Sequence, residues 1–176
     1  MNLPFVATIA RRLDGWAVIG AYALAARGYV RQTADLDLMT ADFKALDESL
    51  WTDLRVQGAR VEVRRGDFED PLAGVVRVEA ENSSIDIVVA RMRWQKAVID
   101  RAEVMHIGTT TLNIVRASDL ILLKLFAGGY SDLHDIRRLL DIESETDLVS
   151  EVTQSLADLP EEMRELWQRL LAGNGG

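Results

Sequence analysis

Apolar residues recur along this chain with two different periods, and the change from one to the other divides it. "ARVEVRR" and "GVVRVEA" alternate apolar with polar positions, the signature of half-buried antiparallel strands, and "SSIDIVVA" follows as a more apolar strand. "WAVIG", stopped by a glycine, and "ADLDLMT" predict two further short strands, and "AEVMHIG" and "TTLNIV" predict a last pair joined around Gly108. Between these, "PFVATIARRLD", "AYALAARG" (closed by Gly28), "ADFKALDESLW" and "RWQKAVIDRA" carry helical spacing. Beyond "TTLNIV" the pattern is helical throughout: "RASDLILLKLFAGG", "YSDLHDIRRLLD", "TDLVSEVTQSLADL" and "PEEMRELWQRLLAG". The last opens on Pro160 and two acidic residues, a favourable helix start. These elements predict an α+β fold. A mixed sheet with flanking helices spans 1–115, a helical region packed on that core spans 116–172, and 173–176 form a frayed tail.

Composition bounds the chemistry. A chain of 176 residues with 48% hydrophobic and 27% charged content can bury a proper core. With no cysteine, disulfides and thiolate metal sites are excluded. The start "MNLPFVATIARRLDGW" has no basic lead, long apolar stretch or small-residue cleavage site, so a signal peptide is not expected. No apolar run approaches the roughly 20 residues needed to span a bilayer, and a cytoplasmic location is the expectation. A net charge of −8 argues against sequence-independent binding to duplex DNA. Lysine occurs only at positions 44, 96 and 124, and Lys124 stands out in the apolar run "LILLKLF". It either snorkels to the surface along its own stem or serves a charged ligand.

Asp35 and Asp37 lie in "ADLDLMT", two residues apart on one strand and therefore on one face. Spacing alone carries little information, since about one Asp-x-Asp is expected by chance in such a chain. The two aspartates can equally cap a loop or pair with Arg27 or Arg31. Asp86 sits in the apolar strand "SSIDIVVA", and pairing of that strand beside the first would bring three carboxylates together. Two carboxylates about 5 Å apart repel by roughly 3 kcal/mol at an effective dielectric near 20. Such a group calls for a cation or raised pKa values. Oxygen-only donors favour Mg²⁺ or Mn²⁺, whose shell is commonly completed by water and substrate phosphate.

The strand ending in Ile19–Gly20–Ala21, a short helix, and then "RQTADLDL" resemble the signature of the polymerase-beta-like nucleotidyltransferase superfamily, with Asp86 as the third carboxylate. "SDLILLKLFAGGYSDLHDIRRLL" is similar to the last two motifs of the AbiEii-type nucleotidyltransferases of toxin–antitoxin and phage-defence systems. Lys124, Asp132 and Asp135 fall on those motif positions, and the match runs from about residue 16 to 141. Two departures stand out. Ala21 replaces the usual Gly or Ser, and no basic residue precedes the Asp-x-x-Asp helix, where the chain reads "AGGYSD".

The resemblance implies a nucleotidyltransferase-like mixed sheet followed by a helical bundle, and transfer of an NMP from NTP to an acceptor hydroxyl. It implies Mg²⁺ (or Mn²⁺) held by Asp35, Asp37 and Asp86, with Asp86 a candidate for the acceptor's proton. Gly20 and Ala21 would sit beside the nucleotide phosphates, Lys124 would reach the triphosphate, and Arg31 and Thr33 could touch phosphate. Asp132 and Asp135 would orient Lys124 or Arg31, or face solvent and pair with Arg138. A tRNA or protein acceptor and a cognate antitoxin protein are the implied partners. Arg60, Arg64, Arg65, Arg91 and Arg93 could form a local basic strip, with pairing to acidic neighbours as the alternative. His106, His134 and the four tryptophans read as incidental or packing residues. The departures favour a second reading, a catalytically weak or inactive nucleotide-binding or protein-interaction module of the same fold. A glycosyltransferase using Asp-x-Asp is a third, but the chain is short for that fold.

Overall fold

The computed structural model describes residues 3–31, 33, 35–80, 83–107, 110–142 and 145–173, the side chains of 3, 145, 146 and 158 excepted. The chain divides into two compact units, residues 1–22 with 32–115, and residues 23–31 with 116–176. Segment 23–31, assigned on sequence to the sheet-containing part, thus belongs with the C-terminal helices. The predicted turn at Gly108 and the tail residues 174–176 lie outside the described residues.

The first unit is built on a mixed seven-stranded sheet. Its strands are β1 (Trp16–Ile19), β2 (Asp35–Thr40), β3 (Arg60–Arg65), β4 (Leu72–Ala80), β5 (Ser83–Ala90), β6 (Glu103–Ile107) and β7 (Thr110–Ile114), in the spatial order β3-β4-β5-β2-β1-β7-β6. Neighbours pair antiparallel except β2 with β5 and β1 with β7, which are parallel. Alternation sets the two faces. Leu36, Leu38, Val76, Val78, Ile85 and Ile87 are all buried on one face. The residues between them point the other way and are largely charged.

Helices α1 (Leu3–Ala10), α3 (Thr52–Val56) and α4 (Arg93–Asp100) belong to this unit. Gln95, wholly buried, accepts the backbone N–H groups of Arg91 and Met92 and so starts α4. The segment "ADFKALDESLW" is not the single helix its spacing predicts. Two 3₁₀ turns, Phe43–Leu46 and Glu48–Trp51, are separated by Asp47, whose backbone is extended (φ −85°, ψ 117°). Asp42 caps the first turn by accepting the Lys44 N–H. The competing requirement is Trp51: fully buried, its Nε1 donates to Ala45 O at 2.8 Å. The segment bends to place the indole there.

Helix α2 (Gly20–Ala26) leaves β1 and carries the chain into the second unit, which contains α5 (Ala117–Ala127), α6 (Tyr130–Ile142), α7 (Glu145–Ser155) and α8 (Glu161–Gly173). Helix α5 is buried on most of its positions and ends at Gly128, left-handed at φ +66°. Leu148 and Val152 of α7 and Met163, Trp167 and Leu170 of α8 supply further core. Trp167 Nε1 donates to Thr153 Oγ1 at 3.0 Å. Among the described residues no helix is long and apolar enough to cross a membrane.

Trp51→Phe tests the bent segment. It leaves the Ala45 carbonyl unpaired in the core and is expected to cost about 1–3 kcal/mol in urea-unfolding free energy.

Candidate active site

The parallel pairing of β2 with β5 sets Asp37 directly beside Asp86, and Asp35 beside Ser84. The antiparallel pairing of β5 with β4 sets Arg77 beside Asp86 and Glu79 beside Ser84. Glu62 of β3 is the next residue across from Arg77. The charged face of the sheet therefore carries one row Glu62–Arg77–Asp86–Asp37, with Glu79 and Asp35 one step along. The three carboxylates named on sequence share a face and adjoin one another. A concavity of about 320 Å³ opens on this face, with Glu62, Arg64, Arg77 and Asp86 in its walls.

At the end of the row β1 presents Ile19 opposite Asp37, and the chain turns at once into α2 through Gly20. Gly20 has φ +63°, and a β-carbon there would collide with Asp37 Oδ2. Glycine is required twice over, by backbone conformation and by the carboxylate against it. Ala21 is buried, so its side chain offers nothing to a ligand and only its backbone remains available.

Arg77, unnoticed in the sequence, organises the carboxylates. Its Nη2 donates to Asp35 Oδ2 at 3.1 Å and its Nε to Glu79 Oε1 at 3.1 Å, while Nη1 lies 3.7 Å from Asp86 Oδ2. Asp86 and then Asp35 hold the Arg77 guanidinium firmly charged, above its ordinary range. Desolvation pushes the Asp86 carboxyl above its ordinary value, and Arg77 opposes this only in part. Asp86 Oδ1 is buried without a hydrogen-bond partner among the described residues.

No three acidic or histidine side chains among the described residues already surround one point as a metal site. The donor set nevertheless fits a hard divalent cation: adjoining aspartates, oxygen ligands only, and one oxygen left unsatisfied. In this conformation a guanidinium bridges Asp35 and Asp86 instead.

The second unit holds its own charge cluster. Lys124 of α5, 5% exposed, donates to Asp135 Oδ2 at 2.7 Å and to Asp132 Oδ1 at 3.0 Å, both on α6. Asp132 also accepts the Gly129 N–H, and Arg31 Nε lies 3.4 Å from Asp135 Oδ2. Of the open alternatives for Asp132 and Asp135, orienting Lys124 and Arg31 is the arrangement present. Arg138 pairs with Asp141. Lys124 does not snorkel: it is buried and doubly paired. Thr33 Oγ1 donates to the Asp35 carbonyl, which anchors the entry to β2.

Of the arginines considered as a basic strip, Arg60 lies 3.9 Å from Glu79, Arg64 binds Glu62 and Arg65 reaches Asp47. Arg91 donates to the carbonyls of Asp67 and Asp70. Arg60, Arg64 and Arg65 thus lie against acidic neighbours, the alternative named for the strip, whereas Arg91 is held by backbone carbonyls. His106 contacts Thr111 Oγ1 on an exposed strand, and His134 packs edge-on to Tyr29.

No family model matches the chain, and no curated protein matches its sequence. Solved structures do. A candidate nucleotidyltransferase from Thermotoga maritima superposes with a TM-score of 0.52 at 13% identity, over 80% of this chain and 93% of that one. An antigenic nucleotidyltransferase-like protein from Paracoccidioides brasiliensis matches at TM-score 0.47 and 17% identity, over 96% and 91% of the two chains. ANT(2'')-Ia in complex with adenylyl-2''-tobramycin matches at 0.46 and 14%, over 98% and 95%. The Thermotoga likeness bears on the fold: the chain has the mixed-sheet α+β fold of nucleotidyltransferases.

Two outcomes follow from the charges. Asp135→Ala leaves the buried Lys124 ammonium short of its nearest partner and is expected to cost about 3–5 kcal/mol in urea unfolding. The effect should shrink in an Asp135→Ala/Lys124→Met double variant. For Asp86 the folded carboxyl titrates above its ordinary value of 3.8, so the folded state binds the extra proton. Stability from this group is therefore lost as pH rises from 3.8 through the folded value. Asp86→Asn, which cannot ionise, is expected to melt above the parent at pH 7 without divalent cations, with the gap closing near pH 3. Parallel melting curves at both pH values check this.

Proposed function

We propose that this chain is a divalent-metal-dependent nucleotidyltransferase that moves an NMP from an NTP to an acceptor hydroxyl. The observation that carries the reading is the β2–β5 pairing, which sets Asp37 beside Asp86 and two residues from Asp35, next to a turn open only to glycine. Asp35, Asp37 and Asp86 would hold Mg²⁺ or Mn²⁺. When bound, such ions supply charge stabilisation at the attacking and leaving oxygens.

The chain's own residues have separable tasks. Asp86 is the carboxylate proposed to take the proton of the acceptor hydroxyl. The acceptor oxygen then bonds to the α-phosphorus as the bond to pyrophosphate breaks. Gly20 keeps the β1–α2 turn free of a side chain beside Asp37, so the nucleotide phosphates can approach the backbone. Lys124, buried and held by Asp132 and Asp135, ties α5 to α6. The same Lys124–Asp132–Asp135 set is the support for an AbiEii-type assignment. With that assignment come a tRNA or protein acceptor and a role as one half of a toxin–antitoxin pair.

A second reading has an observation of its own. Arg77 bridges Asp35 and Asp86, and Ala21 stands where the family carries Gly or Ser. A module that binds nucleotide or a partner with little turnover would also look like this.

Calorimetric titration of each NTP with Mg²⁺, into the parent and an Asp35→Ala/Asp37→Ala variant, tests the proposal, followed by label transfer from α-labelled NTP to candidate acceptors. Metal-dependent binding by the parent, lost in the variant, with transfer to an acceptor is the expected outcome. Binding without transfer to any acceptor would favour the second reading. No NTP binding by folded protein would sink the nucleotidyltransferase and leave only a partner-binding module.

A further inference from the structure

Arg77 occupies a position that the proposed chemistry does not require. One guanidinium spans two of the three carboxylates assigned to the metal, 3.1 Å from Asp35 Oδ2 and 3.7 Å from Asp86 Oδ2. A divalent cation held by those carboxylates carries the same sign of charge, so it and the guanidinium repel and compete for them.

Arg77 also has somewhere to move. Its neighbour across the β3–β4 pair is Glu62, and Glu79 already accepts from its Nε at 3.1 Å. The concavity bounded by Arg77, Glu62 and Asp86 leaves space on that side. The Arg77 side chain is 41% exposed, so a change of partner neither buries its charge nor strips its hydration. Glu62 pairs now with Arg64, itself an exposed group that water can serve when Arg77 arrives.

We infer that Arg77 is a displaceable internal counter-ion. It neutralises Asp35 and Asp86 in the metal-free chain and swings toward Glu62 and Glu79 to let a divalent cation in. The inference rests on the reading of Asp35, Asp37 and Asp86 as metal ligands. Because the metal-competent arrangement is only one of two, Arg77 lowers the apparent affinity for free metal by the fraction of time it stays in place.

The test is titration of Mn²⁺ alone into the full chain, followed by the free-ion electron paramagnetic resonance signal, for the parent, Arg77→Gln and Glu62→Gln. Arg77→Gln is expected to bind Mn²⁺ about tenfold more tightly than the parent. Glu62→Gln removes the second berth and should bind it several-fold more weakly. Equal Mn²⁺ affinity in the parent and Arg77→Gln, or no binding by Arg77→Gln, would overturn the inference. Should Arg77→Gln fail to fold, Glu62→Gln decides alone: unchanged or tighter Mn²⁺ binding overturns it. Label transfer is read separately. Transfer by a parent whose Mn²⁺ affinity Arg77→Gln leaves unchanged removes the inference and keeps the enzyme. Tightened Mn²⁺ binding with no NTP binding keeps the inference and removes the nucleotidyltransferase.

Discussion

Parallel pairing of β2 with β5 forces two like charges side by side, and the site follows from how that cost is met. Leu36 and Leu38 alternate with Asp35 and Asp37, while Ile85 and Ile87 flank Asp86; all four apolar side chains are 2% exposed or less. Burying each contributes about 1.5–3 kcal/mol. A register slip of one residue would turn them all to the charged face. Against that, two carboxylates one strand spacing apart repel by about 3 kcal/mol at an effective dielectric near 20. Burial wins, so the register is fixed by the apolar face and the charged face must be neutralised by what surrounds it.

The molecule meets buried charge in two ways. Lys124 is 5% exposed and its partner Asp135 only 1%, so neither has access to solvent as a substitute. Desolvation makes that pair costly to break and therefore permanent. Arg77 is far more exposed, shares its donors among three carboxylates, and leaves Asp86 Oδ1 without a partner. Exchange of a partner there costs little, because water and neighbouring carboxylates offer alternatives. The same chemistry, guanidinium or ammonium on carboxylate, serves as a fixture in one unit and as a labile contact in the other.

Much of this was legible in the chain. Alternation identified β3, β4 and β5, and the apolar runs identified β1 and β2 with Asp35 and Asp37 on one face. The adjacency of Asp86 needed only the assumption that its strand lies next to β2. Arg77 was missed for a definite reason. Its strand pattern placed it on a polar face, but its role depends on the β4–β5 register, which alternation does not specify. The helical pattern of "ADFKALDESLW" misled because a buried indole seeking the Ala45 carbonyl outweighs local propensity. The membership of 23–31 in the helical unit left no local mark, since a short apolar helix can bury its face against either partner.

Charge bookkeeping on the sheet face shows why Arg77 is an incomplete solution. The paired strands put Asp35, Asp37, Asp86, Glu79 and Glu62 on that face, with Arg60, Arg64 and Arg77 as the basic residues. Two negative charges remain over. Arg60 and Arg64 lie on β3 and are spent on Glu79 and Glu62, so the deficit falls on the aspartates around Arg77. Moving Arg77 toward β3 would deepen that deficit locally while relieving none of it overall. A single divalent cation has the charge to close it. The paired strands thus leave an excess of two negative charges among these residues, and the side chain able to yield, Arg77, stands against Asp35 and Asp86.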